Sequence, residues 1–448
     1  MMGAVAVAHA RPSRPASQRT SNTPGQPPPH TATTTPPSVS YATNRLDSLL
    51  SHCHSRAIFQ HSVPQCGTEA RLPMRVALYD HAKLYREHRE AIDAAIARVL
   101  ESGQFTWGEQ VPAFEEEFAS WVDARHAVAM GSGTAALTTA LRALEIGPGD
   151  EVITVANTEL TGIAAISAVG ATVVWVDIDP ESRCIDTTAC EAAITPRTRA
   201  LLPVDMYGHP ADMIEMRRIA DRHGLALVED ACIALGAEID GRRLGSHADV
   251  TCFSFSPGKH LGAMGAAGAC TTQNAALADR IHKLASDGQA RGRHYDPKPR
   301  IGQHHETEGH NQRMDEMQAA ILRAKLPHLD ETLAVRRAHA DRYTERLVGL
   351  ADLPGERTGF RHAWRNYVIE LDRRDELAAH LFAHGIGCNA LYSPPMHLQP
   401  VYRGLGYAVG SLPRTERSGK RLLGLPLGPP LSLEQIDIVA DEVHAGLA

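Results

Sequence analysis

The chain contains no run of roughly 18 consecutive apolar residues, the length a membrane helix needs. It is therefore expected not to span a membrane. Its eight cysteines (Cys53, Cys66, Cys184, Cys190, Cys232, Cys252, Cys270 and Cys388) form no CxxC pair and no CxxC…HxxxH array. No metal site is indicated on that basis. Several of these thiols fall inside predicted strands, where a free cysteine behaves as a small hydrophobe. A reducing cytoplasm is the compartment expected from this usage. Excess positive charge is also missing. The formal net charge is −7, which argues against a general nucleic-acid binder.

Lysine is absent from residues 1–73, which hold six arginines, two acidic residues and 10 of the 28 prolines. Such a segment buries too little apolar surface to offset its ordering entropy, and a disordered tail is expected. Its acid-poor, Ser- and Thr-rich composition also suits a transit peptide, but no amphipathic helical pattern supports one. Met74 reads as the start of folded protein. With 448 residues the chain exceeds one simple core. The expected division is a large domain over 74–350 and a small C-terminal α+β domain over 351–448.

Helical spacing of apolar residues (Ile92, Ile96, Val99, Leu100) predicts a helix from Leu84 to Leu100, and a second from Val111 to Val122. Seven short apolar runs follow: His126–Met130, Glu151–Val155, Thr172–Ile178, Ala200–Met206, Leu225–Glu229, Val250–Phe255 and Ala267–Thr272. Helical or turn patterns separate most of them. That alternation predicts an α/β domain with a largely parallel seven-stranded sheet covered on both faces. Helices are then predicted over Met314–Leu329, Asp330–Val348, Arg374–His384 and Ser432–Ala445, with a strand at Tyr367–Leu371.

Chemistry concentrates at the ends of these strands. The run VTCFSFSPGKHL breaks at Ser256-Pro257-Gly258 and delivers Lys259. The strand Leu225–Glu229 is followed at once by Asp230. An amine and a carboxylate presented this way suit pyridoxal 5'-phosphate (PLP). The lysine would form the Schiff base, and the aspartate would keep the pyridine nitrogen protonated. Alone, a lysine after SxP is usually a solvated loop residue. Gly131-Ser132-Gly133-Thr134 lies between a strand and a helix. Glycines let the backbone approach an anion, and a helix N-terminus offers free N–H groups. Ser132 or Thr134 could instead simply cap that helix. Three such features at strand ends of one sheet carry more weight than any one, because ligands of parallel sheets gather there.

From about Val76 to the C-terminus, the chain resembles the DegT/StrS family of PLP-dependent sugar aminotransferases. The resemblance rests on GxFxxGxxVxxFE (Gly103 to Glu115), SGTxAL (Ser132 to Leu137), GxGDEVI (Gly147 to Ile153) and ITPRTRA (Ile194 to Ala200). It continues through YGHPADM (Tyr207 to Met213), VEDA (Val228 to Ala231), SFSPGK (Ser254 to Lys259) and NxRMDEMQAA (Asn311 to Ala320). It implies the fold-type-I architecture, with Lys259 as the cofactor-linking lysine and proton shuttle and Asp230 on the pyridinium nitrogen. It also implies that Gly133, Thr134 and Ser254, beside Ser132, hold the phosphate. Asn311 would reach that phosphate from the neighbouring subunit, which makes a homodimer the expected assembly. Family substrates are nucleotide-linked keto-sugars, or keto-cyclitols on antibiotic pathways, with glutamate or glutamine as amine donor.

Three positions depart from the family pattern. Ile233 stands where a glutamine contacts the cofactor. Glu159, after Thr158, replaces an aromatic residue that stacks on the ring. The HYPxPxH segment reads Leu391-Tyr392-Ser393-Pro394-Pro395-Met396-His397. A carboxylate cannot stack, so Glu159 either bonds to cofactor or substrate or turns away. Relatives that dehydrate sugars carry histidine in place of the lysine, so the retained Lys259 favours transamination. Two other readings remain: a different PLP reaction on a nucleotide-sugar, such as dehydration or deoxygenation, and a PLP-binding regulatory protein. His294, His304 and His305 lack metal-ligand spacing. Arg291, Arg293, Lys298 and Arg300 form a charge run that is either a solvated face or a grip on a diphosphate or carboxylate. Trp364 and Tyr367 read as core of the small domain, and Tyr207 as structural.

Overall fold

The computed structural model describes residues 74–289 and 305–448. Segment 1–73 and the loop residues Arg291, Arg293, His294, Lys298, Arg300 and His304 lie outside the described residues. Seven strands form the main sheet: β1 (His126–Met130), β2 (Glu151–Val155), β3 (Thr172–Val176), β4 (Thr198–Leu201), β5 (Ala226–Asp230), β6 (Val250–Ser254) and β7 (Gly268–Thr272). Their spatial order is β1-β7-β6-β5-β4-β2-β3. Six strands run the same way, and β7 runs against both its neighbours. The strands are close to fully buried, which explains why they read as continuous apolar runs rather than alternating ones.

Helices on both faces complete the layers. We name α1 (Arg89–Ser102), α2 (Gln110–Trp121), α3 (Gly133–Ala143), α4 (Leu160–Ala168), α5 (Met213–His223), α6 (Ala275–Ala285), α7 (Glu316–Lys325), α8 (Leu329–Leu347), α9 (Arg374–Ala383) and α10 (Leu433–Leu447). Cap chemistry sets several of their starts. Ser132, Asp212, Asn274 and Asp315 each accept a hydrogen bond from an N–H of the first turn. The N-cap Asp315 is why α7 begins two residues later than apolar spacing alone suggests. The predicted helix Leu84–Leu100 is divided at His88 into His81–Glu87 and α1.

Among the described residues there are two large hydrophobic cores and a small cluster of Ala95, Val99 and Ala320 between α1 and α7. The larger surrounds the seven-stranded sheet. The second joins a two-stranded sheet, β8 (Tyr367–Glu370) with β9 (Leu422–Leu425), to α8, α9 and α10. Trp364 and Tyr367 lie inside it, as their apolar setting suggests. It also takes Val76, Ala340, Tyr343 and Leu347 from earlier in the chain. Among the described residues no helix is long and apolar enough to cross a membrane.

Candidate active site

One cavity of about 340 Å³ opens at the carboxyl ends of the parallel strands. Ser132, Gly133, Thr134, Thr158, Glu159, Asp230, Ser254 and Lys259 all line it. These residues come from the ends of β1, β2, β5 and β6, which the sheet order β1-β7-β6-β5-β4-β2 gathers to one side. Asn311 does not line it. It is exposed, and its backbone pairs with Ser286.

Asp230 ends β5, pinned by backbone bonds in both directions. Its N–H donates to the Pro203 carbonyl at 3.0 Å, and its carbonyl accepts from Asp205 N–H at 3.1 Å. The Cys232 N–H donates to its Oδ1 at 3.1 Å. Burial pushes the carboxyl above the usual range, while the Lys259 cation opposes that rise. A buried carboxylate raised this way is poised for a cationic partner such as a protonated ring nitrogen. Gly162, in the first turn of α4, is needed beside it. A Cβ there would stand 3.0 Å from Asp230 Oδ2.

Lys259 follows the turn Ser256-Pro257-Gly258, closed by its own N–H donating to the Ser256 carbonyl at 2.9 Å. Burial lowers the amine below the ordinary lysine range. Arg365 lowers it further, while Cys232, Asp230 and Glu159 act the other way. A lysine depressed by burial holds a larger share of free amine, the form that attacks a carbonyl.

The α3 N-terminus is a candidate anion cradle. Ser132 Oγ accepts from Ala135 N–H at 3.1 Å, so Ser132 is the helix cap. The cap and the cradle coexist, since the first turn still carries N–H groups without intrahelical acceptors. Gly133 is packed so closely that a Cβ would sit 2.8 Å from Ser254 Cβ and 3.0 Å from Cys232 Sγ. Only glycine lets the backbone approach here. A helix start, a bare glycine, a lysine and an aspartate within one cavity match the phosphate, aldehyde and ring nitrogen of PLP. The donor set therefore fits that cofactor.

Tyr392 and Cys232 also line the cavity, though the sequence did not mark them as site residues. Tyr392 projects in from the segment before β9. Its ring lies 5.9 Å from that of Tyr207, which is itself fully buried and donates to Asn157 Oδ1 at 3.1 Å. Cys232 forms part of the wall with Ile233. Of the two residues after Ala231, the family pattern drew attention to Ile233 but not to Cys232. Glu159 is an exposed residue that lines the cavity, and its charge is felt at Lys259 and Tyr392.

Fold and cavity together define a fold-type-I PLP enzyme, with the Lys259-bearing turn and Asp230 on adjacent strands. Residues 86–444 match the DegT/DnrJ/EryC1/StrS aminotransferase family, and the chain belongs to it. It is accordingly a PLP-dependent aminotransferase. It is 46% identical over 372 residues to dTDP-3-amino-3,4,6-trideoxy-alpha-D-glucose transaminase of Streptomyces venezuelae, covering 83% of this chain and 96% of that one. It is 40% identical to UDP-N-acetyl-3-dehydro-alpha-D-glucosamine 3-aminotransferase of Acidithiobacillus ferrooxidans, covering 80% and 94%. Among solved structures, NtdA of Bacillus subtilis with bound cofactor PMP superposes with a TM-score of 0.76. That match is 32% identical and covers 84% of this chain and 86% of that one.

Proposed function

We propose that this protein transfers an amino group from glutamate or glutamine to the ketone of a nucleoside-diphosphate-linked sugar, acting as a homodimer. The observation that carries the reading is the convergence of Lys259, Asp230 and the α3 N-terminus on one cavity. When bound, PLP supplies an electron-accepting ring for the carbon that gains or loses the amine. Asp230 holds the protonated ring nitrogen. The N–H groups of Gly133 and Thr134, with the Ser254 hydroxyl, hold the phosphate. Lys259 Nζ takes the proton from the donor carbon and returns it on the far side of the transferred system.

The substrate class is supported by the two relatives above, whose names specify a dTDP-sugar and a UDP-sugar, each aminated at the 3-position. A keto-cyclitol is the second acceptor class. The dimer reading is supported by Asn311, which is exposed and absent from its own subunit's cavity. We read it as completing the partner's phosphate site. The division at about residue 350 belongs to the same reading. Tyr392, from the smaller part, walls the cavity of the larger.

The test is spectroscopic. PLP-loaded protein should change its cofactor absorbance on adding glutamate or glutamine. It should recover the starting spectrum with a dTDP- or UDP-linked 3-keto-sugar. Recovery with a keto-cyclitol alone would replace the sugar, and a spectrum unmoved by either donor would favour a PLP-binding regulatory protein.

A further inference from the structure

Arg365 stands between Trp364 and Asn366, in a segment that reads as core. It is 8% exposed. Its guanidinium stacks over the Tyr79 ring at 5.2 Å. Among the described residues it forms no salt bridge and donates no side-chain hydrogen bond. Other buried arginines are treated differently. Arg183 pairs with Glu370 at 2.6 Å, and Arg374 with Asp375 at 2.5 Å. Arg336, as buried as Arg365, donates to the carbonyls of Trp364, Arg365 and Leu427 at 3.2–3.4 Å. It adds a second cation beside Arg365 rather than an anion. Burying an arginine with neither hydrogen-bond acceptors nor an anion is unfavourable, and among the described residues Arg365 has neither.

The position of the guanidinium narrows what that anion is. A Cβ at Gly258, next to Lys259, would stand 3.2 Å from Arg365 Nη2. The charge therefore lies against the lysine-bearing turn. It is felt at Lys259 and at Tyr392, both of which line the cavity. We propose that Arg365 receives the α-carboxylate of the amino donor, the one anionic group bonded directly to the carbon whose amine is transferred. The cofactor phosphate is assigned to the α3 N-terminus. A sugar-linked diphosphate lies several bonds from the reacting ketone. Glutamate and glutamine share the α-carboxylate, so the assignment holds for both. It rests on the amino-transfer reading but not on the identity of the acceptor.

The experiment compares PLP-loaded wild type with Arg365→Gln and Arg365→Lys, after melting curves and cofactor absorbance confirm folding and loading. Each is titrated with glutamate, glutamine and the unreactive analogue α-methylglutamate, in the absence of any keto-sugar. The cofactor spectrum is followed. A parallel calorimetric titration with dTDP reports on diphosphate binding. Losing a charge-assisted bond to a carboxylate should weaken α-methylglutamate by roughly 100-fold in Arg365→Gln. Arg365→Lys should recover part of that loss, since a point charge replaces a two-pronged one. Binding of dTDP should stay within about threefold. If Arg365→Gln does not fold, Arg365→Lys decides by a drop of about tenfold or more in donor affinity. Donor affinity unchanged in a folded variant overturns the assignment. Loss of dTDP binding with donor binding intact also overturns it and gives Arg365 to the diphosphate. A wild-type spectrum unmoved by either donor instead removes the amino-transfer reading itself.

Discussion

Burial governs the chemistry of the two residues at the centre of the cavity, in opposite senses. It makes the Lys259 amine easier to deprotonate and the Asp230 carboxyl harder to ionise. Each shift is relieved by a partner the cofactor offers: a carbonyl for the amine and a ring cation for the acid. Asp230→Ala should leave the fold intact and weaken PLP retention, because stripping one partner from a buried charged pair costs about 3–5 kcal/mol. Equilibrium dialysis of the cofactor measures this, and retention equal to wild type would deny Asp230 that role. Both residues were legible in the sequence because each follows an apolar run that stops abruptly at a turn or a second acid. Arg365 was not legible. An arginine between Trp364 and Asn366 has no local signature, and its lack of a carboxylate partner exists only in three dimensions.

At the scale of the element, β5 carries an unusual acid load. Glu229 is fully buried, accepts from Thr251 Oγ1 at 2.6 Å through Oε2, and among the described residues has no partner for Oε1. Burial pushes its carboxyl up to about 7, and Asp205 nearby is raised by the same cause. The folded protein therefore binds a proton at Glu229 that the unfolded chain has already released. The associated stability is complete below the unfolded value near 4.5 and is lost as pH rises through about 7. Glu229→Gln should flatten the fall in melting temperature between about pH 5 and pH 8, and an unchanged slope would count against a neutral Glu229. The α3 N-terminus makes a second prediction. Gly133→Ala places a methyl 2.8 Å from Ser254 Cβ. It should destabilise the fold by about 1–3 kcal/mol and weaken the cofactor site. Denaturant unfolding with and without PLP separates the two effects. Strand identities were readable, since buried parallel strands are continuous apolar runs. Their ends were readable only in part: β1 and β2 have the expected bounds, and others do not. The run expected over Thr172–Ile178 stops at Val176, where the chain leaves the ladder and Ile178 bridges to Ile185.

The whole molecule presents a site finished only when distant parts meet: strand ends from the large core, Tyr392 from the segment before β9, and, as proposed, Asn311 from a second subunit. Co-expressed Lys259→Ala and Asn311→Ala subunits should regain partial activity, because a mixed dimer holds one site with both residues. Mixed dimers no more active than either parent would favour a self-contained site. The sheet order that gathers the cavity was foreseeable only as a class, since parallel alternation fixes strand direction but not which strands become neighbours. The central claim is that Lys259 is the amine that holds the cofactor. The chain has six lysines, so the claim can be tested chemically. PLP-loaded protein is reduced with borohydride, digested, and searched by mass spectrometry for the pyridoxyl phosphate adduct. The account predicts one modified peptide, carrying the label on Lys259. A label on Lys83, Lys283, Lys298, Lys325 or Lys420, or no label on a protein that retains PLP, would contradict it.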